Sequence, residues 1–121
     1  MKFNQINSEI ILNADSKALA TMSVDTINVV PVSTVNIIDD KIILVNYFME
    51  KTLDNVLQNP QASLVCWTEL TGIQIKSKVD YQTTGTIFET MKKIVSKTSP
   101  ERIVQGVLVL NPIEIFDISI T

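Results

Sequence analysis

The sequence has 121 residues, 45% of them hydrophobic and 19% charged, with a net charge of −3 and no histidine, which is the size of one domain with a single core. The missing histidine excludes Ser-His-Asp and Cys-His catalysis, and the single cysteine excludes ordinary structural zinc ligation. The net negative charge and the lack of a basic tract give no positive surface for nucleic acid. The apolar content is high for this amount of charge and predicts an interface between subunits.

The N-terminal residues contain neither the apolar segment nor the cleavage site of a signal peptide, and no apolar run reaches the length of a membrane span. We therefore expect a cytoplasmic protein that makes no contact with a membrane. Isoleucines at helical spacing, Ile6, Ile10 and Ile11, predict a short first helix that covers one end of the fold. A strand over about Ala18 to Val24 is predicted to follow it.

The clearest hairpin signal lies between residues 27 and 46. Ile27 to Ile38 is rich in β-branched residues and predicts one long strand, Asp39-Asp40 predicts a tight turn, and Lys41 to Asn46 predicts the antiparallel return strand. A hairpin here argues against a parallel α/β sheet, because parallel strands need a helix in nearly every connection.

A helix over roughly Glu50 to Gln58 is predicted next. Leu53, Val56 and Leu57 fall on one of its faces, and Pro60 cannot continue it.

The first turn of this helix carries Lys51-Thr52. A helix start has backbone N–H groups without intrahelical partners and carries partial positive charge, so a lysine and a hydroxyl in the same turn suit a phosphate. The alternative is an ordinary solvated helix start.

Two more strands are predicted over Ala62 to Thr68 and Ile73 to Gln82, joined by a turn at Gly72. The second strand alternates apolar and polar residues, so it has one buried and one solvated face. The lone Cys66 lies in the first of them and is predicted to be a buried, inert thiol.

In the last third of the chain, Thr86-x-x-Glu89 predicts a capping box at the start of another helix. Val107 to Leu110 and Ile113 to Ile120 then predict strand segments separated by a turn or kink at Asn111-Pro112. Six or seven mostly antiparallel strands with two or three short helices predict a mainly β fold, a closed or nearly closed barrel, as a single domain over residues 1–121.

Four stretches of the sequence form a specific series: Pro31-Val32-Ser33-Thr34, Phe48 to Val56, Asn59 to Leu64 and Gly72 to Ser77. In this order they resemble the FMN-binding split-barrel family, which includes pyridoxamine 5'-phosphate oxidases and small bacterial flavin mononucleotide-binding proteins. The resemblance covers nearly the whole chain. It implies a six- or seven-stranded antiparallel split β-barrel and favours the phosphate interpretation of the helix start.

The resemblance further implies a homodimer that holds two FMN molecules at the subunit interface. The cofactor-binding residues that it implies are Lys51 and Thr52 at the phosphate, Val32, Ser33 and Thr34 along the isoalloxazine and ribityl chain, Asn46 and Tyr47 at the strand end near the phosphate, and Gly72 and Gln74 in a segment that often approaches a flavin. Trp67 is a further candidate that could flank the flavin ring.

The sequence departs from the family's pyridoxamine 5'-phosphate oxidases in its basic residues. Those enzymes carry paired basic residues at the helix start and an arginine-containing C-terminal segment, whereas this sequence has Glu50-Lys51 and Arg102 as its one arginine. A second phosphate clamp for a phosphorylated substrate is not visible, so we do not expect pyridoxamine 5'-phosphate oxidase activity.

The predicted function is an FMN-binding redox protein, either a flavin-dependent oxidoreductase or an electron carrier, with a small molecule or a protein as its redox partner. Because the flavin would supply the redox chemistry, no catalytic acid, base or metal ligand is assigned. The alternative is a non-catalytic barrel that binds another cofactor, deazaflavin or haem. Haem usually takes an axial histidine, which is absent, although ligation by Tyr or Met stays open.

Overall fold

The computed structural model describes residues 2–120. Within these residues, three helices and seven strands follow one another: α1 (Gln5–Asn13), β1 (Ser16–Met22), β2 (Ile27–Pro31), β3 (Val35–Ile38), β4 (Lys41–Asn46), α2 (Glu50–Gln58), β5 (Gln61–Thr68), β6 (Thr71–Gln82), α3 (Thr86–Thr98) and β7 (Gly106–Asp117). The mainly β fold and the bounds of α2 are as predicted. None of the helices in the described part of the chain is long and apolar enough to cross a membrane.

The seven strands form one antiparallel sheet in the order β2-β1-β5-β6-β7-β4-β3. The two edge strands, β2 and β3, are joined by residues 32–34 only, so the end of one lies within about 15 Å of the start of the other. Seven flat strands would separate these edges by about 29 Å at ~4.8 Å per strand. The sheet is therefore rolled into a split barrel, as the resemblance implied.

The prediction of one long strand over residues 27–38 is wrong. β2 ends at Pro31 and pairs with β1, whereas β3 begins at Val35 and pairs with β4. The chain crosses between the two edges of the sheet in this segment, so one continuous strand could not pair on both sides.

Two predicted turns have different outcomes. Asp39 and Asp40 both have positive φ, 52° and 58°, as the tight hairpin between β3 and β4 requires. The turn predicted at Gly72 lies instead at Glu69 and Leu70, and Gly72 is inside β6 opposite Trp67. A Cβ on Gly72 would lie 2.7 Å from the Trp67 Cβ. The absence of a side chain at Gly72 therefore lets β5 and β6 approach this closely.

Two predictions in the last third also differ in outcome. The capping box is wrong, because Gly85 with φ 101° occupies the cap position and Thr86 is already the first helical residue. The kink near Pro112 is confirmed as a register shift, since Ser77 pairs with Pro112 while Lys76 pairs with Glu114.

β4 is buried on both faces, which explains its uninterrupted apolar sequence. Ile42 and Leu44 belong to the core inside the barrel, and Ile43 and Val45 belong to a second cluster that packs under α3. The outer face of β5 and β6 carries polar residues, which include Ser63, Gln74 and Lys76. The outside of the sheet is therefore covered by α3 at β4 and β7 and lined by polar residues at β5 and β6.

α2 packs against β1 and β2 with a face that the apolar pattern predicted only in part. Leu57 is 68% exposed, whereas Val56 and the polar residues Thr52 and Asn55 are buried. Val56 and the partly buried Leu53 face the core as predicted, and only the placement of Leu57 on this face is wrong. Polar residues can face inward here because the strands below offer hydrogen-bond partners.

Candidate functional site

The predicted site residues fall into two groups on the structure. Seven of them lie around the β2–β3 connection, the end of β4 and the start of α2: Val32, Ser33, Thr34, Asn46, Tyr47, Lys51 and Thr52. The other three, Trp67, Gly72 and Gln74, lie on β5 and β6.

Hydrogen bonds join several members of the first group. The Thr34 hydroxyl lies 2.9 Å from the Tyr47 hydroxyl, so the β2–β3 connection is fastened to the segment that follows β4. Val32 has a different role, because its N–H donates to the carbonyl of Lys17 at 3.0 Å and its side chain packs against the barrel core. Thr34 and Tyr47 are therefore a contact pair, while Val32 anchors the loop.

The connection between α3 and β7 adds two residues that the sequence did not link to this group. The Arg102 guanidinium lies over the Tyr47 ring, 5.0 Å from its centroid, and donates to the Ser33 hydroxyl at 3.3 Å. Gln105 donates from its side-chain amide to the Tyr47 carbonyl at 2.8 Å and from its backbone N–H to the Asn46 carbonyl at 3.0 Å. A guanidinium thus stands among the predicted flavin-contacting residues.

The start of α2 has the properties of an anion site. Its cap residue, Met49, makes no side-chain hydrogen bond to the helix, in contrast to α1, where the Asn4 side chain accepts from the N–H of Asn7. First-turn N–H groups of α2 are therefore left for an external acceptor. Lys51 is exposed beside them, while Glu50 in the same turn adds a negative charge. Backbone donors and an ammonium group fit a phosphate.

Thr52 faces away from this surface. Its side chain is fully buried, and its hydroxyl accepts a hydrogen bond from the Asn28 side-chain amide at 3.0 Å. One turn later, the Asn55 amide donates to the Thr21 hydroxyl at 3.2 Å. These two bonds fasten α2 to β2 and β1, so a contact from Thr52 to a surface anion would come from its backbone N–H.

The second group lies on the opposite face of the sheet from α2. Ile73 and Ile75 point into the barrel core, which includes Val56 of α2, so Gln74 between them points outward. Its amide donates to the hydroxyl of Ser63 on β5 at 2.8 Å. Within one chain, the structure does not bring Gln74 together with the start of α2.

A cavity of about 410 Å³ opens on this outer face. Gln74, Ser63 and Lys76 contribute polar groups to its lining, and Met22 and Ile27 contribute apolar ones. A volume of this size is within the range of small-molecule sites, ~300–1,000 Å³.

Cys66 is buried, as predicted. Burial raises the pKa of its thiol to about 11, against the opposing effect of the nearby Lys17 charge. The thiol is therefore protonated at neutral pH and is not an activated nucleophile.

The sequence matches a known protein family. The family model for pyridoxamine 5'-phosphate oxidase matches residues 7–119. No curated protein matches the sequence.

Solved structures with the same fold come from several bacteria. HupZ of Group A Streptococcus has a TM-score of 0.87 at 20% identity, over 98% of this chain and 95% of that chain. An FMN-binding protein from Syntrophomonas wolfei subsp. wolfei has a TM-score of 0.83 at 21% identity, over 95% and 85%. HutZ, the haem storage protein from Vibrio cholerae, has a TM-score of 0.73 at 12% identity, over 96% and 94%. At these identities the likeness establishes the fold.

Proposed function

The chain belongs to the pyridoxamine 5'-phosphate oxidase family, and from that premise we propose that it is an FMN-binding redox protein that acts as a homodimer. The observation that carries the proposal is the start of α2, where the exposed Lys51 shares the first turn with N–H groups that the cap residue Met49 does not cap with its side chain. A phosphate monoester suits these donors, because the helix end and the ammonium group both favour negative charge.

The flavin ring would lie against residues that bind and orient it. Bound FMN supplies electron transfer, so the chain itself need provide only contacts and charge. Ser33, Thr34 and Tyr47 supply hydroxyl groups for hydrogen bonds. Arg102 supplies a fixed positive charge close to them.

A second copy of the chain is part of the proposal because Gln74 points to the outside of the sheet, whereas α2, which carries Lys51, packs against the inside. A single FMN that contacts both Lys51 and Gln74 must therefore lie between two subunits. The outer face also carries exposed apolar side chains that an interface would cover, including Ile27, Ile113 and Phe116 at 80%, 50% and 39% exposure. Burial of such groups drives association.

Haem is the second candidate, favoured by the structural likeness to the haem storage protein. The residues offer few ligands for it. The sequence has no histidine, the Tyr81 hydroxyl lies 2.8 Å from the Asn46 amide, and the Cys66 thiol is buried with a raised pKa. Tyr47 and the half-exposed Met22 are the more accessible alternatives. These ligands give haem less support than the phosphate donors give FMN.

The proposal is tested by titrating the protein with FMN, riboflavin and haemin. We expect FMN to bind more tightly than riboflavin, and Lys51→Ala to weaken FMN binding by about 1.5–3 kcal/mol while leaving riboflavin unchanged. Lys93→Ala, which removes an exposed lysine from α3, is the matched control and should change neither affinity. Equal affinity for FMN and riboflavin, or tight binding of haemin alone, would contradict the proposal. Sedimentation of the FMN-loaded protein as a monomer at low micromolar concentration would contradict its dimeric part.

A further inference from the structure

The start of α2 is held in place by the buried side chain of Asn46, the last residue of β4. Asn46 is 2% exposed. Its Oδ1 accepts a hydrogen bond from the backbone N–H of Met49 at 2.7 Å, and its Nδ2 donates to the Tyr81 hydroxyl at 2.8 Å. A backbone N–H can only donate, so the amide oxygen must face Met49 and the amide nitrogen must face Tyr81. Tyr81 thereby supports the one amide orientation in which Asn46 can bind the cap residue.

A glycine on the strand between them makes this contact possible. Tyr81 belongs to β6 and Asn46 to β4, and β7 lies between these two strands in the sheet. Gly106 of β7 pairs directly with Asn46. A Cβ at this position would overlap the Tyr81 hydroxyl and ring. The tyrosine can cross β7 only because residue 106 has no side chain.

The cap residue transmits this placement to the helix. The carbonyl of Met49 accepts the N–H of Leu53 at 2.8 Å, which is the first helical hydrogen bond of α2. Met49 therefore has its N–H fixed by Asn46 and its carbonyl fixed by the helix. Together with the bonds of Thr52 and Asn55 to the sheet, these two bonds set the direction in which the first-turn N–H groups point.

We propose that Tyr81 is a positioning residue for the phosphate group of the cofactor, acting through Asn46 and Met49 on the start of α2. The inference rests on the proposed function and goes beyond it, because Tyr81 itself touches no ligand in this scheme. Hydrogen-bond donors that are already held in place lose little conformational freedom when the ligand binds. If the donors become mobile, this entropic cost rises and the affinity falls. The effect should fall on the phosphate and leave the rest of the flavin untouched.

Tyr81→Phe tests this inference, since it removes only the hydroxyl and keeps the ring over Gly106. The measurement is the ratio of the dissociation constants for riboflavin and FMN. We expect FMN binding to weaken by roughly three- to tenfold, the equivalent of one hydrogen bond, and riboflavin binding to change by less than about twofold. Ser96→Ala is the matched control, because it also removes a hydroxyl with a 2.8 Å hydrogen bond but lies on α3; its ratio should equal that of the wild type.

Gly106→Ala is an independent test, because its Cβ should displace the Tyr81 hydroxyl. The ratio of the riboflavin to the FMN dissociation constant should then fall as it does in Tyr81→Phe. Amide hydrogen exchange at Met49 should accelerate in both variants and stay unchanged in Ser96→Ala. Equal weakening of FMN and riboflavin in Tyr81→Phe would indicate a merely structural role and overturn the inference. An unchanged ratio would overturn it while leaving the proposed function standing. A wild-type protein without preference for FMN would overturn both.

Discussion

Thr52 can either fasten α2 to the sheet or contact a ligand with its hydroxyl, and Thr52→Val separates these roles. The hydroxyl is fully buried and accepts from Asn28 at 3.0 Å. Valine keeps the shape but removes the acceptor, so one net hydrogen bond is lost and the half-buried Asn28 amide keeps only partial access to water. We expect the free energy of unfolding to fall by about 1–2 kcal/mol.

Urea denaturation followed by far-UV circular dichroism measures this change, with FMN titration of the folded variant measured in parallel. Because the hydroxyl faces inward, FMN affinity should change by less than about twofold. Thr83→Val, at an exposed threonine after β6, is the control and should alter the unfolding free energy by no more than about 0.5 kcal/mol. The reasoning fails if Thr52→Val leaves stability unchanged and weakens FMN binding roughly five- to tenfold, since the hydroxyl would then reach the phosphate.

Two further predictions concern the substrate and the buried thiol. Pyridoxamine 5'-phosphate should be oxidised negligibly, because its phosphate would need positive charge beyond Lys51 and the single guanidinium of Arg102. A steady-state assay with FMN-saturated protein tests this, and turnover on the order of 1 per second or above would refute it. Cys66 should resist iodoacetamide at pH 8 in the folded protein and react in urea. Since burial raises its pKa from 9.0 to about 11, its contribution to stability is fully present below about pH 9 and is lost as the pH rises towards 11. Cys66→Ala should flatten that part of the curve of unfolding free energy against pH, and an unchanged curve would contradict the assignment.

The sequence by itself determined the elements whose signals are local. The Asp39-Asp40 turn, the bounds of α2 and the alternation along β6 follow from turn chemistry, from proline and from a period of two, all of which act over a few residues. The series of motifs also predicted the split barrel. No packing information was needed for these predictions.

Only the tertiary structure decided which surfaces these elements share. Ser33 and Arg102 are 69 residues apart, and Asn46 and Tyr81 are 35 apart, so no periodicity links them. The Thr52 side chain points inward to bind the Asn28 amide, and the position of Asn28 is set by the pairing of β2 with β1. Gly106 shows no local signal either, because its role comes from a tyrosine that crosses from another strand. These contacts depend on the order of strands in the rolled sheet, which arises from long-range pairing and burial and leaves no pattern in the residues nearby.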